Sequence, residues 1–267
     1  MKSVRVVALT VACLLALGSI AGSLLARFDY ARQDRQHVAA GATREHWLGT
    51  DALGRDRFSR LLHGTRVSLL LAPAAAAVSM FLAFAIGAAP GVSGGLYERA
   101  AKTIIDLMLS IPWLFLLLIV RAMLPLNTSP GASATITFLV LGLLGWGVPA
   151  RILLARARHI RQSEFLLLAR STGVSRWRMV FIHVMPNLWP VLLAQFWISV
   201  PVFILAEANL SLLGLGVAEP LPSLGSLLRE LESVLSLRGD AYCFAALLML
   251  VLIVSSLQIV FSNREVS

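Results

Sequence analysis

Six stretches of about 20 mostly apolar residues punctuate this chain, and they limit its fold more than any other feature. They cover residues 6–25, 67–90, 104–124, 134–154, 188–209 and 241–261. A helix rises about 1.5 Å per residue, so each stretch can cross ~30 Å of hydrocarbon. Hydrophobic residues make up 58% of the 267 positions and charged residues 14%, where a soluble domain carries about a quarter charged residues. A core wrapped in water has no use for so much apolar surface. The expected fold is an all-α integral membrane protein with six transmembrane helices.

Proline and glycine recur inside these stretches, at Pro73, Gly87, Pro112, Gly142, Gly145, Pro190 and Pro201. Membrane helices tolerate them where neighbouring spans satisfy the freed backbone groups. The opening, Lys2 and Arg5 before an apolar run, is similar to a signal peptide. Its run exceeds the 7–15 residues of a signal core, which favours an uncleaved span. The expected organisation is a first helix in 1–26, a polar segment at 27–66, five helices in 67–261 and a short tail at 262–267. Cys13 and Cys243 both lie in apolar runs and read as small buried hydrophobes rather than a disulfide or metal pair. Between the last two stretches, Leu224, Leu227, Leu228, Leu231, Val234 and Leu235 fall at helical spacing, with Arg229, Glu230 and Glu232 between them. That pattern predicts an amphipathic helix along the membrane surface or capping the bundle.

The connection at 155–187 is rich in arginine. Ser163 suits an N-cap, and Glu164 complements the dipole of the first turn. Phe165, Leu168, Ala169 and Thr172 then form one narrow helical stripe, and Gly173 can end that helix in the left-handed conformation. Ser175 caps a second short helix that Pro186 closes. Ala169 to Ser175 also fits the turn of a DNA-binding helix-turn-helix. That reading fails because the second helix carries Val180, Phe181 and Ile182 in succession and runs straight into a membrane stretch. The surviving reading is a short helix that plugs into a groove on a cytoplasmic partner.

Here the chain resembles the permeases of binding-protein-dependent ABC importers. Their cytoplasmic signature loop runs Glu-Ala-Ala, three residues, Gly, nine residues, a hydrophobe, one residue, then Leu-Pro. Ala169, Gly173 and Pro186 fall in register, while Leu167 and Leu168 replace the Glu-Ala and Met185 replaces the Leu. His183, Pro186 and Asn187 look like the ending used by the dipeptide, oligopeptide and nickel branch. Gly49-Thr-Asp-Ala-Leu-Gly-Arg-Asp56 with Ser59-Arg-Leu-Leu, then Asp106 and Leu109-Ser-Ile-Pro112, and Glu207-Ala-Asn-Leu-Ser-Leu-Leu-Gly-Leu-Gly-Val217 look like that branch too. The resemblance covers residues 47 to about 225 and implies the type I importer permease fold. It also implies a sister permease subunit, two ATP-binding ABC subunits and an extracytoplasmic solute-binding protein. The coupling helix would be 163–173, with Glu164, Phe165, Leu168, Ala169, Arg170, Gly173 and Pro186 as its candidate residues. Short peptides are the leading substrate class, ahead of nickel or other small solutes.

The energy source has to lie in a partner. A P-loop needs Gly-x4-Gly-Lys-Ser/Thr, and at the one Lys-Thr pair, Lys102-Thr103, the glycine positions hold Leu96 and Ala101. ATP and magnesium are therefore expected on the partner ATPase, with no cofactor and no catalytic residue in this chain. An ion-coupled secondary transporter is the rival reading, but Glu207 has no acidic counterpart in the first half and no inverted repeat is visible. Glu207 and Asp106 stand as candidates for a pore or structural role; Asp106, Gln195 and Gln258 suit interhelical hydrogen bonds. His37, His46, His63, His159 and His183 show no metal-ligand spacing and read as loop or interface histidines.

Six spans put both termini on one side, and an ATPase docked at 155–187 makes that side cytoplasmic, in the bacterial inner membrane. Segment 27–66 then lies outside with eight arginines, against the positive-inside rule. Asp29, Asp34, Glu45, Asp51 and Asp56 are available to pair with several of them. The net charge of +9 suits lipid headgroups rather than nucleic acid.

Overall fold

The computed structural model describes residues 26–123, 128–164, 184–235 and 244–262, with isolated positions between 6 and 21 and at 178 and 182. Helix α1 runs Arg57–Ala83, passes through a π-helical turn at Phe84–Ala88 and finishes as Ala89–Ser93. Its start is ten residues ahead of the apolar run at 67. Asp56 explains this: its carboxylate accepts the Ser59 N–H at 2.8 Å, capping the helix where the polar segment ends. Pro73 sits inside α1 without interrupting it.

Helices α2 (Gly95–Ser110) and α3 (Trp113–Met123) meet at 80°, so the third apolar stretch bends sharply instead of running as one rod. The break falls at Pro112. Ile111 is extended at φ −90° and ψ 126°, the conformation a following proline imposes. Helices α4 (Pro130–Leu144) and α5 (Gly147–Arg161) follow, interrupted at Gly145 and Trp146 but together long enough for one span. Then come α6 (Met185–Leu212), α7 (Leu224–Leu235) and α8 (Ala245–Ser262). Among the described residues three helices are long and apolar enough to cross a membrane, or four if the bent pair counts as one span. Helix α8 is a shorter apolar helix.

The core falls into two clusters. One joins the first half of α1, α4, the second half of α6, α7 and the start of α8, with Ala72, Leu141, Ile204 and Leu224 fully buried. The other joins the end of α1, α2, α5 and the start of α6 around Ile105, Leu153 and Leu188. These clusters mark two ends of the bundle. The cap end carries the 26–56 loop, the 213–223 connection and α7. The opposite, loop end carries the termini of α1 and α5 and the start of α6.

Helix α7 takes the second of its two expected placements. Leu224, Leu227, Leu228 and Leu231 are buried against the bundle, so it caps the core. Glycine permits close helix approach: a Cβ on Gly142 of α4 would sit 2.6 Å from the Ala75 carbonyl oxygen of α1.

The described positions from Val6 to Gly18 are helical, and Val6, Leu9, Leu14 and Leu17 are exposed. Cys13 is exposed as well, contrary to the expectation of burial. An apolar residue bound for lipid needs no protein neighbours. Cys243 lies outside the described residues.

Candidate functional site

The Gly49–Asp56 motif folds into a compact loop because its side chains satisfy its own backbone. Gly49 and Gly54 take positive φ of 72° and 77°, which suits glycine. The Asp51 carboxylate accepts the N–H groups of Leu53 and Arg55 at 2.9 and 2.8 Å. Its other oxygen accepts the Arg55 Nε–H at 2.6 Å. Arg55 also pairs with Glu219, and Arg60, wholly buried in the first turn of α1, pairs with Glu230 of α7. Arg60 Nη2 lies 3.3 Å from Glu219, and its Nε 3.6 Å from Asp51.

The result is a five-member ion cluster that ties the loop, α1 and α7 into one cap. Burial alone would lower the Arg55 pKa, but hydrogen bonds to Glu219 and Asp51 outweigh it and hold the guanidinium above its usual range. Burial pushes the Glu230 carboxyl up, with the Arg60 charge pulling the other way. Arg55 and Arg60 are thereby neutralised in part by Glu219 and Glu230, more than 150 residues away, rather than by the local acids alone.

Glu207 is fully buried near the end of α6. Its Oε1 accepts the hydroxyls of Ser211 and Ser223, both at 2.7 Å, tying α6 to the cap of α7. Ser223 and Ser226 cap α7 reciprocally, each hydroxyl accepting the other residue's N–H. Gly225 leaves room for the carboxylate: a Cβ there would lie 2.9 Å from Glu207 Oε2 and 2.7 Å from the Ala208 Cα. Through these bonds Glu207 knots the end of α6 to the start of α7. Glu207→Gln keeps its shape and an acceptor oxygen, and near-normal folding is expected. Glu207→Leu strands two buried hydroxyls at about 1–3 kcal/mol, which thermal unfolding in detergent will register as a lower midpoint.

Where α2–α3 and α4–α5 both break, the bundle opens into a recess of about 230 Å³ lined by Leu109, Trp113, Gly145, Pro149, Gln195, Ser199 and Phe203, among others. Most of it is apolar, and the buried Trp113 indole N–H has no hydrogen-bond partner. Irregular backbone at membrane depth is tolerated where it is buried in protein or lines a cavity.

At the loop end, α2 and α5 flank an open recess of about 500 Å³ lined in part by the charged residues Glu98, Lys102, Asp106, Arg151 and Arg158. Arg161 pairs with Glu98 at 2.7 Å, and Arg151 with Asp106. Asp106 thus bridges α2 and α5 through a partly exposed ion pair.

Glu164 is exposed just beyond α5. Pro186 is exposed in the first turn of α6, so it opens the long helix instead of closing a short one. That is where proline belongs, since N–H groups of the first turn have no intrahelical acceptor. Phe165, Leu168, Ala169, Arg170 and Gly173 lie outside the described residues. Gln195 is buried and Gln258 exposed.

Sequence reasoning missed Glu219 and Glu230 as partners of Arg55 and Arg60, and Trp113 beside the recess. The available signals were Arg55 and Arg60 inside the Gly49-to-Leu62 motif and the tryptophan directly after Pro112.

Residues 67–263 match the family described as "Binding-protein-dependent transport system inner membrane component". Among curated proteins, the oligopeptide transport system permease protein OppC of Mycobacterium tuberculosis is 33% identical over 214 residues, 80% of this chain and 72% of its own length. OppC of Bacillus subtilis is 30% identical over 227 residues, 85% of this chain and 72% of its own length. The matched region takes in every described helix from the middle of α1 through α8, including both helix breaks and the Glu207 knot. This chain belongs to the family of inner membrane components of binding-protein-dependent transport systems.

Proposed function

We propose that this chain is one permease subunit of an ATP-driven ABC importer for short peptides. Family membership supports the importer class, and the relatives named as oligopeptide permeases support the substrate class. The observation that carries the reading is the polarity of the bundle. The ion-knit cap and the paired ends of α5 and α6 that flank residues 165–183 occupy opposite ends, with broken helices and an apolar recess between them. In this reading the chain has six spans, the first within 6–25, and both termini face the cytoplasm. A second permease completes the solute path, and a solute-binding protein delivers cargo to the cap end.

Two ATP-binding subunits, holding ATP and magnesium, dock at the loop end on the coupling helix 163–173. Nucleotide-driven closure of those subunits favours one packing of the spans over the other, which is a population shift. A secondary transporter would work alone, so partner dependence separates the two readings. Recovery of an ATPase, a sister permease and a binding protein with this chain in mild detergent is expected; transport by the purified chain alone would replace the proposal.

Orientation has its own test. Thr43→Cys and Ser171→Cys, made in a background lacking Cys13 and Cys243, are exposed to an impermeant thiol reagent on cells whose outer barrier is opened. Position 43 should label and 171 should not. The reverse pattern would overturn the orientation and the docking site together.

A further inference from the structure

The loop ahead of α1 gathers three ligand-type side chains that sequence spacing does not connect. Asp34, His37 and His46 each bring one ligating atom within 4.8 Å of those of the other two. The backbone holds them there. Asp34 donates its N–H to the Gly54 carbonyl at 2.9 Å, and the Thr50 hydroxyl donates to the His37 carbonyl. The His46 ring is buried and stacks on Phe28 with centroids 4.7 Å apart.

We propose that Asp34, His37 and His46 bind one zinc ion, which staples the 34–56 loop to the start of α1. The protonation logic supports it. His46 Nδ1 lies 2.9 Å from Asp56, and a carboxylate can only accept, so Nδ1 carries the hydrogen and Nε2 keeps a free lone pair. A carboxylate behind a ligating histidine is the usual outer-shell arrangement; it fixes the tautomer and raises the basicity of the ring. Asp56 is itself held by the N–H and hydroxyl of Ser59 at 2.8 and 2.7 Å. The outer shell thus continues into the helix cap.

His37 Nδ1 and Asp34 Oδ2 are 2.8 Å apart. Ligand atoms on a tetrahedral zinc with bonds of about 2.0–2.1 Å stand about 3.3 Å apart. The ion takes the place of the shared hydrogen, which in the neutral ring moves to Nε2, and the pair opens by about 0.5 Å to admit it. Two imidazole nitrogens and one carboxylate oxygen suit zinc and leave a fourth position for water.

The test uses full-length protein purified in detergent through a tag without histidine, with zinc titrated against a chromophoric chelator. Wild type should bind one equivalent. His37→Ala and Asp34→Asn, both at partly exposed positions, should each weaken binding at least about tenfold. Asp56→Asn should weaken it about 10–100-fold, and because asparagine caps helices as well as aspartate, the fold should persist. His63→Ala, outside the cluster, should change nothing. Zinc should also slow proteolysis of the loop in wild type and not in His37→Ala. No stoichiometric zinc in wild type, or undiminished binding in His37→Ala, would overturn the site. Either result leaves the transport reading standing, because that reading makes no use of the ion.

Discussion

Arg60→Met should leave little folded protein in the membrane, and it is the largest stability loss expected from any single change in the cap. Arg60 is wholly buried and faces Glu230, Glu219 and Asp51. Removing one partner of a buried ion pair costs about 3–5 kcal/mol, because the other charge stays desolvated. Glu219 is 53% exposed, so water recovers its share and the lower end, about 3 kcal/mol, is expected. Arg60→Met combined with Glu230→Leu should recover much of that loss, since an apolar pair of similar volume can match a buried ion pair. The double-mutant cycle by thermal unfolding isolates the coupling.

Acidity gives a second signature. Burial holds the Glu230 carboxyl above its ordinary value, with Arg60 as the largest opposing influence. Without Arg60 it rises further. A raised native pKa means the native state binds more protons, so stability falls as pH climbs from the unfolded value through the native one. The deficit of Arg60→Met should therefore shrink towards pH 5. A deficit independent of pH and unrelieved by Glu230→Leu would remove the ion cluster as its cause.

Ala169→Asp should leave the protein inserted and assembled in the membrane while abolishing ATP-driven uptake. The stripe of Phe165, Leu168, Ala169 and Thr172 is the apolar face offered to the ATPase in the proposed docking. A carboxylate forced into an apolar groove costs a few kcal/mol unless it is paired. Gly173→Pro tests the same helix through the backbone: proline fixes φ near −65° and removes the left-handed turn. Both positions fall in the segment between α5 and α6, and neither belongs to the ion cluster of the cap, so thermal stability should hardly move. Wild-type uptake with unaltered ATPase recovery in both variants would sink the coupling-helix assignment.

How far the sequence reveals this fold depends on the range of the interactions. Apolar length and periodicity are local, so the long helices and the leucine stripe of α7 can be read directly. Pro73, Pro190 and Pro201 sit inside helices as expected, but Pro112 stands at an 80° break. Nothing local distinguishes them. At Pro112 the extended Ile111 and the packing of α2 on α5 redirect the chain, and that packing is tertiary.

The cap was hidden for the same reason. Arg60 and Glu230 are 170 residues apart, and no spacing rule links them. Glu207 was visible as a costly charge, yet its role came only with Ser223, on the far side of the Gly214–Gly216 turn. His37 and His46 are nine residues apart, outside the short spacings of helical metal motifs, and only the folded loop brings them together.

The most direct measurement of the central claim is uptake of labelled tripeptides into proteoliposomes holding this chain, its sister permease and the ATPase pair, with the binding protein added on the cap side. Accumulation should require ATP on the loop side and the binding protein outside, and should vanish with Ala169→Asp. ATP-independent accumulation driven by an ion gradient, or undiminished uptake when this chain is left out, would contradict the account.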